Sequence, residues 1–148
     1  MTDRRELILQ RLVAIAAAVD GVILAERNND EMSEHKRPAI AIFDADEEGD
    51  EALDRRSHAG EAPALVAMTP GIEIKVGAAP EAVGSELNLL RSRLIKAVLT
   101  DMELRELLGS NGRARYLGCT TELGRGRSME GTMQVHLAFT YVLRPSEL

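Results

Sequence analysis

Aromatic side chains are nearly missing from this sequence: of 148 residues, two are Tyr, two are Phe and none is Trp. A surface that stacks nucleobases needs exposed rings, which argues against single-strand nucleic-acid binding of that kind. The core must be built from Leu, Ile, Val, Ala and Met. One cysteine, Cys119, excludes an internal disulfide and fits a reducing compartment. No apolar run approaches the ~18 residues of a membrane span. The charged start M-T-D-R-R-E is not followed by the apolar run and cleavage site of a signal peptide. No internal repeat is present.

What remains is 45% hydrophobic and 28% charged, an ordinary balance for one globular domain over residues 1–148. The net charge of −6 is unevenly spread. Residues 44–56 carry seven acids and two bases, a net −5, whereas residues 91–127 carry eight bases and four acids, a net +4. The surface is polarised, and an overall pI near 5.1 does not suit sequence-specific nucleic-acid recognition.

The strongest periodic signal is T-M-Q-V-H-L-A-F-T-Y-V-L at 132–143. Met133, Val135, Leu137, Phe139, Tyr141 and Leu143 alternate with Thr132, Gln134, His136, Ala138 and Thr140, as in a half-buried strand. Its cover is the helix-patterned stretch 81–100, with Val83, Leu87, Leu90, Leu94, Ile95 and Val98 on one stripe. A first helix over residues 7–19 shows Ile8, Leu12, Ile15 and Val19 at helical spacing. It opens on a capping box, Asp3 with Glu6, and places Arg4, Arg5, Gln10 and Arg11 on its wet side. Strands are predicted at 22–27, 39–43, 63–77 (interrupted at Thr69-Pro70) and 113–120. Asp101 caps a short helix over 102–108 that Gly109 ends. Residues 44–62, rich in acids and with little to bury, read as a long mobile loop. Residues 123–131 read as a Gly-rich hairpin connection. The order α-β-β-β-α-(α)-β-β predicts an α+β fold: a mostly antiparallel sheet of about five strands with two long helices on one face and a semi-polar face left over.

Few residues suggest chemistry. D-A-D-E-E-G-D at 44–50 matches the start of a calcium loop, but its twelfth position is Arg55 where a bidentate Glu belongs. His35, His58 and His136 have no second ligand at zinc spacing. Gly124-Arg125-Gly126 lacks the third glycine and the following helix of a phosphate cradle. Cys119 reads as a buried structural thiol with no partnering base. Ser110 and Ser128 lack a nucleophile-elbow frame. The reading is of a non-enzyme without metal or cofactor. The −5 and +4 segments suit salt bridges between copies, and head-to-tail contact of unlike surfaces builds a ring where the rotation closes.

The segments R-R-E-L-I-L-Q-R-L-V-A-I at 4–15, R-P-A-I-A-I-F-D at 37–44 and E-L-N-L-L-R-S-R-L-I-K-A-V-L at 86–99 carry a family likeness. So do R-Y-L-G-C-T-T-E-L at 115–123 and M-Q-V-H-L-A-F-T-Y-V-L at 133–143. Over most of its length the chain resembles the tail terminators (tail completion or minor tail protein U) of siphophages and related gene-transfer particles. The resemblance implies a structural virion protein of the tail, assembled in the bacterial host cytoplasm. It would form a hexameric ring that caps the tail tube, ends tail polymerisation and offers a surface for head joining. Its partners would be copies of itself, the tail tube protein and a head-completion or neck protein, with DNA passing through the lumen without sequence-specific binding. Candidate contacts are Asp46, Glu47, Glu48, Arg55 and Arg56 from the acidic segment, and Arg113, Arg115, Arg125 and Arg127 from the last hairpin. The alternatives are a head-completion or neck connector and, from another class, a small-ligand-binding or hydrolytic α+β domain with a pocket lined by His136, Cys119 and an acid. A regulator that binds a protein partner is a third.

Overall fold

The Asp3 carboxylate accepts the Arg5 N–H at 3.1 Å and opens helix α1 (Arg4–Ala17). Glu6, expected to close a capping box on Asp3, turns instead to Arg27 across the interface with the sheet. Ile8, Leu9, Leu12, Ile15 and Ala16 form the buried stripe of α1. The computed structural model describes residues 3–32, 34–49, 63–124 and 129–148.

Five strands follow the expected order: β1 (Leu24–Arg27), β2 (Ala39–Gly49), β3 (Ala64–Ala78), then helices α2 (Val83–Thr100) and α3 (Met102–Leu108), then β4 (Arg113–Leu123) and β5 (Met129–Leu143). They form one sheet in the order β1-β2-β3-β5-β4. Only β1 and β2 run parallel; every other neighbouring pair is antiparallel. The fold is therefore α+β with a mostly antiparallel sheet, and its helices share one face.

That face holds the core. From β2 come Ile40 and Ile42. From β3 come Val66, Met68, Ile72, Ile74 and Val76, and from β5 Met133, Val135, Leu137, Phe139 and Tyr141. They meet the α1 stripe, Val83, Leu87, Leu90, Leu94 and Val98 of α2, and Leu104 and Leu108 of α3. Two close approaches demand glycine. A Cβ on Gly131 would lie 2.7 Å from both Leu87 and Val83, so α2 rests directly on the β5 backbone there. A Cβ on Gly112 would lie 2.2 Å from the carbonyl oxygens of Leu108 and Thr140.

Arginines fasten α1 to the sheet and to the other helices. Arg27 donates to Glu6 at 2.7 and 2.9 Å and to Asp44 at 2.6 and 2.7 Å. Arg11 meets Asp101 bidentately at 2.9 and 2.7 Å. Arg4 donates to the Leu107 carbonyl at 3.2 Å, and Arg5 to the Ala45 carbonyl at 2.7 Å. The predicted wet side of α1 is thus largely a row of clamps.

Two further expectations are corrected, and one left open is decided. The acidic loop predicted over 44–62 does not begin at Asp44, because β2 runs on to Gly49; residues 50–62 lie outside the described set. The strand continues because residues 46–49 pair with residues 66–69 of β3, a contact that local composition does not encode. At Thr69-Pro70, where the proline leaves an edge, a bulge or a break open, the structure has a bulge in the partner strand: Asp44 and Ala45, the latter with φ +23°, stand opposite Pro70 while β3 stays continuous. Cys119 is exposed, not buried, because β4 is an edge strand and its residues 119–123 are open to solvent.

Candidate interaction surface

Strand alternation sends every second side chain away from the helices. Near β1 this second face is partly covered. Met32, from the β1–β2 connection, packs on Ala39 and Ala41, with Leu24 and Phe43 beside them. Elsewhere it carries small and polar residues. Gln134 donates to Glu73 at 3.3 Å, and the ring Nε2 of His136 lies 3.2 Å from the Thr120 hydroxyl. Lys75 donates to the Asp30 carbonyl at 2.7 Å.

The register places four of the nine candidate contact residues on this open face. Glu48 pairs with Ala67, Ala67 with Thr140, and Thr140 with Arg113, so one row crosses four strands from acid to base. In the adjoining row Asp46 stands beside Thr69 and Arg115 beside Ala138. Three strand spacings separate the acids from the arginines, about 14 Å. Asp46, Glu48, Arg113 and Arg115 are all exposed. Between them Leu65, Ala67, Ala138 and Thr140 floor a depression of about 430 Å³, with Arg113 and Arg115 on its wall.

Glu47 does not join them. The bulge sends its side chain to the helix face, where its carboxylate accepts the hydroxyl of the fully buried Tyr141. Burial, reinforced by that carboxylate, pushes the Tyr141 phenol well above its usual value. Arg55, Arg56, Arg125 and Arg127 lie outside the described residues. The strand over 46–49 also sets where the described acids of the calcium-like run point. It throws Asp46 and Glu48 to one face and Glu47 to the other, so the acids do not converge, and Asp44 is engaged by Arg27. Arg27 holds the carboxyls of Asp44 and Glu6 below their ordinary range.

His136 and Cys119 stand on opposite faces of the sheet. Cys119 pairs with Val135, a core-facing residue, whereas His136 is on the open side. The nearest helix residue to that end of β4 is Arg91, whose guanidinium lies 5.1 Å from the Tyr116 ring centroid and donates to its hydroxyl at 2.9 Å. A site needing thiol, imidazole and acid together is not assembled by this geometry.

The row linking Glu48 to Arg113 had no signal in the sequence, because register between strands 65 residues apart is not a local property. The opposite net charges of the two segments were the one legible hint. No family model and no curated protein sequence matches the chain. No helix among the described residues is long and apolar enough to cross a membrane.

Proposed function

We propose that the protein is a structural subunit of the tail-terminator kind: copies form a ring that caps a finished tail tube, ends its growth and offers a surface to the head-joining complex. The observation that carries this reading is the pair of unlike margins on one sheet face, Asp46 and Glu48 at one side and Arg113 and Arg115 at the other. A subunit whose two sides are complementary to each other binds the next copy head-to-tail, and such contacts close into rings when the rotation allows. The helix-backed sheet suits the role, since arginine clamps and a continuous core give each copy one shape. The resemblance of residues 4–15, 37–44, 86–99, 115–123 and 133–143 to tail terminators supplies the tube end as partner, with DNA as passing cargo. The separation of His136 from Cys119 favours this assembly role over a hydrolytic or ligand-binding domain.

Deleting the gene in the particle-producing host tests the reading. Electron micrographs should show unjoined tails of uncontrolled length. Separate heads beside normal-length tails would point to a neck connector instead, and intact virions would overturn both.

A further inference from the structure

Among the described residues, the two sides that carry the opposite charges are also unpaired strand borders. The sheet ends at β4, and β1 pairs with only the first part of β2, from Ala39 to Ile42. Beyond that, Asn28 and Arg5 occupy outward groups of Ile42, Asp44 and Ala45. Among the described residues nothing pairs with the outer border of residues 46–49. Unpaired borders of this kind are templates for another strand.

Backbone phase and side-chain charge select the same register. The Arg113 N–H donates to the Thr140 hydroxyl at 3.0 Å and the Arg113 C=O accepts from it at 3.3 Å, so both face β5 and those of Ala114 point outward. On β2 the Ile42 carbonyl points outward, and the extra residue of the bulge moves the outward positions to Glu47 and Gly49. Setting Ala114 against Glu47 of a second copy makes a hydrogen-bonded pair. It is flanked by Arg113 against Glu48 and Arg115 against Asp46. Both flanking pairs are non-hydrogen-bonded, the closer kind for side chains, and each joins opposite charges on the open face. The strands alternate in direction from β2 to β4, so the added contact is antiparallel without rearrangement. The match has a natural end. After Tyr116 the register of β4 shifts at Leu117, at the level where the β1 of a neighbour would begin to occupy the border.

We propose that residues 113–115 of β4 in one copy add to residues 46–48 of β2 in the next, so that the sheets of neighbouring subunits run on as one. This rests on the ring reading above and names the contact that builds the ring. A two-fold stacking of open faces is the competing arrangement, and it yields dimers only.

The test is a Glu48→Cys, Arg113→Cys double variant in a Cys119→Ser background, oxidised at several protein concentrations. These positions are three strands apart within a chain, about 14 Å, too far for an internal bridge. A ladder of covalent multimers ending at a closed species is the expected result. Covalent dimers alone, or no cross-link, would overturn the proposal. In parallel, Arg113→Glu with Arg115→Glu should weaken association at least 10-fold by native mass measurement. Adding Asp46→Arg and Glu48→Arg to that chain should restore it; unchanged association in the first variant, or no rescue in the second, would count against the contact. Failure here leaves the tail-length phenotype intact, whereas normal virions after gene deletion would remove the terminator role and leave this contact standing.

Discussion

The two faces of the sheet are made of the same strands and do opposite things. The helix side is filled by Ile, Leu, Val, Met, Phe139 and Tyr141, nearly all withdrawn from solvent. The open side offers Ala67, Ala138, Thr69, Thr140, Gln134 and His136, with Glu73 and Lys75 on its middle strand and the exposed Asp46, Glu48, Arg113 and Arg115 at its margins. Large apolar side chains on one face fix the fold. Small residues on the other leave its backbone and charges free to meet something else.

Substitutions can break this contrast. Phe139→Ala should cost about 3–5 kcal/mol in chemical denaturation, because it empties a closed part of the core. Gly112→Ala should come next, losing on the order of 1–3 kcal/mol, since two carbonyl oxygens occupy the space of its new methyl. Asp101→Ala should lose roughly 1–2 kcal/mol through the missing cap and ion pair. Gln134→Ala on the open face should stay within about 0.5 kcal/mol of the parent. A loss at Gln134 comparable to that at Phe139 would dissolve the distinction between the faces.

Acid sharpens the same comparison. Arg11 and the Leu104 N–H hold the Asp101 carboxyl below its ordinary value of 3.8 in the folded chain. The native state therefore binds fewer protons than the unfolded one near that pH. The contribution is complete above 3.8 and disappears as pH falls through the lowered folded value. Melting temperature recorded against pH should fall on this acid side, and Asp101→Asn should flatten the fall. Tyr141 behaves oppositely. Its phenol is raised above 10.0, so its contribution is complete below that pH and fades as alkali approaches the folded value.

Much of the covered face was legible because burial leaves a period. The α2 stripe from Val83 to Val98 and the alternation from Met133 to Tyr141 were both readable, and so were the Asp101 cap and the Gly109 stop. Residues 44–49 were not. Four acids among six residues have no apolar alternation, and what makes them a strand is distant: β3 pairing and the Tyr141 hydroxyl. The clamps at Arg4, Arg5 and Arg11 were hidden for a related reason, since a long cationic side chain reads as solvated wherever its partner lies far along the chain. Candidate residues could be grouped by charge, but which of them share a row depends on register.

Asp101 ends α2, caps α3 through the Leu104 N–H at 2.8 Å and grips Arg11 of α1. Two helices therefore hang from one carboxylate at the end of a third, like leaves of a door on a single hinge pin. Pulling that pin should let them loosen together: amide exchange in α1 and α3 should quicken in step, while the strands beneath keep their slower clock.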